Sequence, residues 1–341
     1  MDEKLGLGTQ KARRALATLA MTVGMSCLSG CGQSDSGYDA TEQTDAPTAS
    51  APLAQQAPGP RCSGKSGRLR GRSVQRVRAG GQSRSFVYYA PAGLDADEAA
   101  PLVIVPHGYT MSGQQMFDIT QYAALADREK FVAIFPDGGP GAGPWNVGLG
   151  VCGNGTFVLG ANNDQAFVDA MIDFADQDQC IDREHVFMNG FSMGGYFSNE
   201  SGCRNPKIKA IAPHSGGSHD LGGCLNRKVP VLIQHFNPDA LIGYPCGTEA
   251  RDRWVRRNGC TLASPEVVPV KDGRCEYYRN CAEGGQVAMC TFNRPLLGAG
   301  ELLAGHGWAG GSKAGSGDLF SIPGPASATE LAWAFFKKYG W

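Results

Sequence analysis

The stretch that decides the fold is residues 186–197, VFMNGFSMGGYF, in which an apolar run leads into a glycine-bounded serine. The run at 186–189 predicts a buried strand, and a helical segment follows the serine. The pattern G-x-S-x-G between a strand and a helix is typical of a sharp turn that presents a nucleophilic hydroxyl. The glycines suit such a strained turn, in which the helix must pack close to the strand. We therefore take Ser192 as the candidate nucleophile, with an ordinary glycine turn as the alternative.

Short apolar runs alternate with segments of helical composition on both sides of this turn. Such a pattern predicts a mostly parallel central sheet with helices on both faces. A Gly-containing turn near residue 80 predicts a β-hairpin that comes before these strands in the sequence. The predicted strands are 102–105, 131–135, 186–188, 208–212, 229–234 and a short candidate at 302–304, and the helical segments are 113–129 and 163–175, the latter capped by Asp164.

A serine hydroxyl is a weak nucleophile unless an oriented imidazole accepts its proton. In the strand–turn–helix arrangement the acid and then the histidine follow the serine along the chain. Of the six histidines only His306 follows every predicted strand, and Asp239 is the first carboxylate after the predicted strand at 229–234. We expect Asp239 to orient His306. The alternatives are a turn residue at Asp239 and a loop histidine at His306.

Acyl transfer also needs backbone donors for the negatively charged oxygen of the intermediate. We expect these donors to be the N–H groups of Met193, which follows the serine, and of Tyr109, which is favoured over Thr110. His107 is expected to support this second loop through hydrogen bonds rather than to transfer protons.

Aromatic residues near the predicted site are candidates for substrate contacts. Trp145, Trp308 and Tyr109 could form walls for an aromatic or acyl group, although packing roles are equally open. The proposed chemistry requires no metal and no cofactor, and we expect neither.

The N-terminus has the composition of an export signal. Basic residues precede an apolar run from Ala15 to Gly30, which ends in the sequence LSGC at 28–31. This order predicts a lipoprotein-type signal peptide at 1–31 with acylation of Cys31, against an ordinary secretory signal as the alternative. Residues 32–60 are polar, lack Lys and Arg, and predict a disordered tether. The membrane would then be reached only through the lipid anchor.

The charge and the cysteine content of the chain limit the classes of protein to which it can belong. The chain of 341 residues has 31 basic and 32 acidic residues, so its formal net charge of -1 disfavours nucleic-acid binding. Residues 61–84 contain eight basic residues and no acidic one, which we interpret as solvent-facing arginines on edge strands rather than as a polyanion site. Twelve cysteines without a C-x-x-C pair favour disulfides in an oxidising compartment, and ten remain if Cys27 and Cys31 are set aside.

With these residues assembled, the sequence resembles the poly(3-hydroxybutyrate) depolymerase and feruloyl esterase group of α/β-hydrolases, including bacterial lipoprotein esterases. The resemblance covers roughly residues 60–341. It is carried by 106–108 (PHG), 180–182 (CID), 190–195 (GFSMGG), 212–217 (APHSGG), 231–235 (VLIQH), 252–254 (DRW), 258–260 (NGC) and 305–308 (GHGW).

The resemblance implies an α/β-hydrolase catalytic domain over 61–341 in which Ser192, Asp239 and His306 cleave carboxylic esters. Two departures concern the loop before Asp239, where the sequence HFNP at 235–238 replaces the usual His-Gly, and a polar run, SNES at 198–201, in the helix after the turn.

In this architecture Cys180 precedes the nucleophile strand and Cys203 ends the helix that returns antiparallel to it. Both should lie at the end of the sheet opposite the catalytic residues, and a Cys180–Cys203 disulfide is predicted.

These observations predict an extracytoplasmic serine esterase, either lipid-anchored at the bacterial cell envelope or secreted. Its substrate would be a polyester such as polyhydroxybutyrate, a feruloylated or acetylated polysaccharide, or a small aromatic ester. Two alternatives are a serine peptidase of prolyl-oligopeptidase-like type and a non-catalytic surface-binding protein on a hydrolase scaffold.

Overall fold

The computed structural model describes residues 62–139, 143–148, 152, 163–293, 305–313, 315 and 318–341. The predicted signal peptide, Cys31, the tether and the strand candidate at 302–304 lie outside the described residues. Within the described part of the chain, no helix is both long and apolar enough to cross a bilayer.

A ten-stranded sheet forms the centre of the domain. Its strands are β1 Gly71–Ala79, β2 Gln82–Ala90, β3 Ala100–Ile104, β4 Val132–Pro136, β5 Ile181–Met188, β6 Ala210–Ile211, β7 Val231–Phe236, β8 Thr261–Val270, β9 Gly273–Arg279 and β10 Val287–Phe292, and a separate pair is β11 Trp308–Ala309 with β12 Ser321–Ile322. The strands of the large sheet lie in the order β1-β2-β4-β3-β5-β6-β7-β10-β9-β8. The six central strands, from β4 to β10 in this spatial order, are parallel to one another, and an antiparallel pair of strands borders them on each side.

Helices cover both faces of this sheet. They are α1 Gly113–Thr120, α2 Tyr122–Glu129, α3 Asp164–Asp178, α4 Met193–Arg204, α5 Tyr244–Asn258 and α6 Ala328–Tyr339. Along β3, Leu102 and Ile104 pack in the cluster that contains α3, α4 and α5, whereas Val103 packs in the cluster with α1, α2 and α6. This alternation follows from the period of two in a strand and explains why the strand is apolar throughout. The predicted fold class is therefore confirmed.

Two predicted helix boundaries need correction. The segment 113–129 is two helices rather than one, because the backbone of Gln121 is left-handed with φ of 61° and separates α1 from α2. Helix α3 is capped by Asn163, whose side chain accepts from the Ala166 N–H, and not by Asp164. Asp164 instead forms a buried ion pair with Arg84, with 2.9 Å between Nη1 and Oδ1.

The N-terminal hairpin contains four of the eight basic residues at 61–84, and one of the four, Arg84 on β2, is buried against Asp164 rather than solvent-facing. Its turn at Gly80 and Gly81 joins β1 to β2, as predicted. Arg72, Arg76 and Arg78 lie on the exposed side of β1, as expected for edge-strand arginines.

The polar helix after the nucleophile turn is buried in spite of its composition. Its polar side chains have partners: Ser198 Oγ accepts from the Gly190 N–H at 2.9 Å, and Asn199 Oδ1 accepts from the Trp254 indole at 2.7 Å. Hydrogen bonds of this kind offset the cost of removing polar groups from water. The polar run at 198–201 is therefore compatible with a buried helix at this position.

Among the described residues, ten cysteines form five disulfides: Cys62–Cys180, Cys152–Cys246, Cys203–Cys224, Cys260–Cys281 and Cys275–Cys290. The prediction of a Cys180–Cys203 disulfide is wrong. The amides of Cys62 and Cys180 donate to the carbonyls of residues 97 and 96, each at 2.8 Å, so the chain before β1 places Cys62 beside Cys180. Cys203 instead meets Cys224, which follows a short 3-10 turn packed near the end of α4. Cys62 is 118 residues from Cys180 in sequence, whereas Cys203 meets a cysteine only 21 residues further along the chain.

Candidate active site

Ser192 lies in the turn between β5 and α4, with φ of 54° and ψ of -117°. Positive φ is uncommon for a non-glycine residue and persists where the surroundings enforce it. The glycines on both sides make the turn sterically feasible. A Cβ atom on Gly194 would lie 2.2 Å from the Pro106 carbonyl oxygen, and one on Gly190 would lie 2.1 Å from the Gly194 carbonyl oxygen. Glycine is therefore required at both positions, because the neighbouring backbone lies too close for a side chain.

Three predicted catalytic side chains form one hydrogen-bonded chain. The Ser192 Oγ lies 2.9 Å from His306 Nε2, and His306 Nδ1 lies 2.8 Å from Asp239 Oδ2. All three residues are buried, with Ser192 8% and His306 2% exposed. A carboxylate accepts from Nδ1–H, which leaves Nε2 free to accept the serine proton. This arrangement can activate the serine and stabilise an imidazolium.

Asp239 is held by its own loop. Its Oδ1 accepts from the N–H groups of Leu241 at 3.0 Å and Ile242 at 2.8 Å, which leaves Oδ2 for His306. The loop reaches this position although its sequence departs from the family pattern. The two backbone donors fix the direction of the carboxylate, so that Oδ2 faces the imidazole.

Gly305 lets the histidine loop approach the acid loop. Its φ is 77°, and a Cβ atom there would lie 2.6 Å from the Pro238 carbonyl oxygen. The Gly-lined loop noted in the sequence therefore has a specific steric function beside His306.

The loop at 107–110, which carries the second predicted oxyanion donor, lies next to Ser192, since a Cβ atom on Gly108 would lie 3.1 Å from the serine Cβ. Among the described residues, neither the Tyr109 nor the Met193 N–H donates to a protein acceptor. Both amides are thus available for a substrate oxygen, and their role in binding it stays a prediction.

His107 supports this loop, as expected from the sequence. Its Nδ1–H donates to the Gly108 carbonyl oxygen at 2.6 Å, and its Nε2 accepts from the Gly138 N–H at 2.8 Å. Burial lowers the pKa of His107 to about 4, so the ring is neutral at pH 7. Because Gly108 C=O and Tyr109 N–H belong to one peptide unit, the first hydrogen bond also restricts the direction of that N–H.

The prediction that Trp145 and Trp308 form substrate walls is wrong. Both side chains are fully buried. The Trp145 indole donates to the His107 carbonyl oxygen at 2.9 Å, and the ring stacks on Phe197 with centroids 4.8 Å apart. The Trp308 indole donates to Thr329 Oγ1 at 3.2 Å. Each tryptophan therefore packs behind a catalytic loop, because the adjacent core offers both an apolar surface and an acceptor.

Sequence reasoning did not assign a role to His235, which is buried close to Asp239. Its Nε2–H donates to the Ile242 carbonyl oxygen at 2.8 Å and lies 3.6 Å from Asp239 Oδ2. Burial lowers the pKa of His235, which favours the neutral ring. The residue stood in one of the blocks shared with the family, but only the fold places it beneath the acid loop.

One group of three potential metal ligands occurs in the part of the chain that the structure describes: Cys203, His219 and Cys224. The two cysteines are bonded to each other, so their sulfurs do not offer a thiolate pair.

The comparison with solved structures fits this geometry. The acetyl xylan esterase from Aspergillus awamori superimposes with a TM-score of 0.53 and 16% sequence identity, over 65% of this chain and 93% of that one. The chain has the α/β-hydrolase fold. In the α/β-hydrolase fold the triad follows the order serine, acid, histidine, which is the order of Ser192, Asp239 and His306.

Sequence comparison adds relatives with named activities. The chain is 30% identical over 233 residues to feruloyl esterase B of Piromyces equi, a match that covers 62% of this chain and 42% of that protein. It is 29% identical over 251 residues to feruloyl esterase D of Neurospora crassa, covering 69% and 81%. No protein-family model matches the chain. These similar proteins are carboxylic ester hydrolases by name.

Proposed function

We propose that this α/β-hydrolase is a serine carboxylic-ester hydrolase. The observation that carries the proposal is the continuous hydrogen-bonded chain from Ser192 through His306 to Asp239. Similarity to two feruloyl esterases supports ester bonds, rather than peptide bonds, as the target.

The geometry supports a two-step acyl transfer. His306 Nε2 accepts the proton of Ser192 as its Oγ attacks the ester carbonyl carbon, and Asp239 stabilises the imidazolium. The N–H groups of Met193 and Tyr109 would donate to the oxygen that becomes negatively charged. His306 then protonates the departing alcohol, and the acyl group stays on Ser192. Water, deprotonated by His306, attacks this acyl-enzyme and releases the acid.

For the substrate we propose a feruloyl or acetyl ester on a polysaccharide, in line with the names of the similar proteins. Exposed apolar side chains on the loops of the site support an aromatic acyl group: Tyr109, which follows Gly108, is 51% exposed, and Leu241, two residues after Asp239, is 50% exposed. Poly(3-hydroxybutyrate) is the alternative that the family resemblance offers.

The decisive experiment compares the purified wild type with Ser192→Ala on p-nitrophenyl acetate. The variant should lose about three orders of magnitude or more in kcat. The matched control Ser83→Ala alters an exposed serine on β2 and should keep full activity. Equal rates for wild type and Ser192→Ala would refute the nucleophile.

Substrate class requires a second set of measurements. Methyl ferulate, acetylated xylan and poly(3-hydroxybutyrate) are compared with a peptide p-nitroanilide. We expect the highest kcat/KM on methyl ferulate or acetylated xylan, and Tyr109→Ala should reduce the rate on methyl ferulate more than on p-nitrophenyl acetate. Preferential cleavage of the anilide would favour the peptidase alternative.

We further propose an extracytoplasmic location with a lipid anchor at Cys31. Five disulfides support an oxidising compartment. In a bacterial host, Cys31→Ser should move the protein from the membrane fraction to the soluble fraction, whereas Cys27→Ser should not. An unchanged distribution of Cys31→Ser would contradict the anchor.

A further inference from the structure

His214 lies between the two turns that present Ser192 and His306, in the segment that follows β6. Its backbone is paired with the nucleophile turn. The His214 N–H donates to the Gly190 carbonyl oxygen, and the Ser192 N–H donates to the His214 carbonyl oxygen, each at 2.9 Å. Both the N–H and the C=O of His214 therefore tie its backbone to the turn that holds Ser192.

The side chain of His214 points to the other turn. Its Nε2 accepts from the Ala309 N–H at 3.2 Å, three residues after His306. A neutral imidazole that accepts at Nε2 carries its proton on Nδ1, and Nδ1 lies 3.1 Å from the Ser215 hydroxyl. The ring also stacks on Trp308, with centroids 5.0 Å apart and planes 19° from parallel. One side chain thus contacts the two residues that end the histidine loop.

The surroundings favour the neutral ring that this contact needs. His214 is fully buried, and on its other side the ring stacks on Phe292, with centroids 5.9 Å apart. Burial, with smaller effects from His235 and His306, lowers the pKa of His214 well below its ordinary value. An imidazolium would present a second N–H to the Ala309 N–H, whereas the neutral ring presents an acceptor.

We infer that His214 is a positioning residue that sets the distance between Ser192 Oγ and His306 Nε2, because its backbone is bonded to one turn and its imidazole to the other. The inference rests on the proposed esterase function. It assigns His214 no proton transfer and no contact with substrate. A loss of this link would let the histidine loop shift relative to the serine, and a misplacement of about 1 Å can reduce catalysis about 10²-fold.

Two substitutions separate the hydrogen bond from simple packing. His214→Gln keeps a side-chain acceptor that can reach Ala309 N–H, whereas His214→Leu fills a similar volume without one. We expect His214→Leu to lower kcat on p-nitrophenyl butyrate by about 10- to 100-fold with KM within twofold of wild type. His214→Gln should recover most of that loss.

A control and the wild-type assay make the result unambiguous. Ile172→Ala removes buried side-chain atoms on α3, away from both turns, and reports what lower stability alone does to kcat. The positioning role is overturned if Ile172→Ala and His214→Leu have the same melting temperature and lower kcat equally. It is also overturned if the kcat of His214→Gln is no higher than that of His214→Leu. Wild type and Ser192→Ala are measured alongside. Their difference tests the esterase function itself, so a failure of that function is recognised separately.

Discussion

The turn that holds Ser192 and the loop that holds Asp239 are maintained by different forces. Around Ser192, backbone lies directly against backbone: a Cβ atom on Gly194 would reach 2.2 Å from Pro106 O, and one on Gly216 would reach 2.7 Å from Ser192 O. Asp239 is instead held by hydrogen bonds to its carboxylate. Close backbone contact requires glycine at fixed positions. Hydrogen bonds to backbone amides can form with many different side chains at the neighbouring positions.

This contrast explains which part of the site is visible in the sequence. The glycines of the nucleophile turn form a pattern that can be recognised by itself. The acid loop has changed to HFNP at 235–238, and Asp239 still lies 2.8 Å from His306. We therefore expect the acid loop to depend on the hydrogen bonds of its carboxylate and on the close approach of Gly305 from the histidine loop, whereas the nucleophile turn depends on its own glycines.

The largest effect should come from the carboxylate of Asp239. Asp239→Asn retains the shape but removes the charge and offers an amide N–H where the imidazole N–H needs an acceptor. We expect kcat to fall about 10⁴-fold, as for an acid that fixes the histidine tautomer, with little change in melting temperature. The control Asp97→Asn alters an exposed carboxylate and should be silent. A tenfold loss or less would indicate that another group orients His306.

The nucleophile turn should respond in stability as well as in activity. Gly194→Ala places a methyl group within 2.2 Å of a backbone oxygen, which neither partner can avoid by changing a side-chain rotamer. We expect the free energy of unfolding to fall by about 3 kcal/mol or more, measured by urea denaturation. Gly222→Ala is the matched control, because its nearest neighbour would be a side-chain atom at 3.5 Å. Similar stability of the two variants would contradict the steric account.

The loop that contains His107 and Tyr109 should show a smaller effect, which is a dependence of the free energy of unfolding on pH. The pKa of His107 in the folded protein, about 4, lies below the value near 6.5 of an exposed histidine. The unfolded chain therefore binds the proton first as the pH falls, so stability contributed by neutral His107 is present above pH 6.5 and lost towards pH 4. From pH 7 to pH 5 this costs about 2 kcal/mol.

The comparison is with His107→Gln, which has no titrating ring at this position. Its free energy of unfolding should decrease by about 2 kcal/mol less than that of the wild type between pH 7 and pH 5. Urea denaturation at both pH values measures this difference. Parallel losses in the two proteins would show that His107 is not the neutral, buried support described above.

The sequence was sufficient for the features set by local pattern. Apolar runs predicted five of the six central parallel strands, β3 to β7, and the chain order of serine, acid and histidine predicted side chains that meet in the structure. The sixth central strand, β10, was not predicted, although it is buried along its whole length. The hairpin of β8 and β9 was not predicted, because β8 is an exposed edge strand with prolines at 265 and 269 and lacks an apolar face.

Features that depend on distant segments were also missed. Cys180 pairs with Cys62 across a sequence separation of 118, which no spacing rule contains. Trp145 and Trp308 lie close to catalytic loops in sequence, yet their rings face the core. Proximity along the chain indicates which loop a residue belongs to, whereas packing decides the direction of its side chain.

The central claim is that Ser192 is the nucleophile and carries the acyl group. The most direct measurement is labelling of the native protein with a fluorophosphonate, followed by peptide mapping by mass spectrometry. We expect one stoichiometric adduct on the peptide that contains Ser192, loss of esterase activity in proportion to labelling, and no adduct in Ser192→Ala. Stoichiometric labelling of a different residue, or full esterase activity in Ser192→Ala, would contradict it.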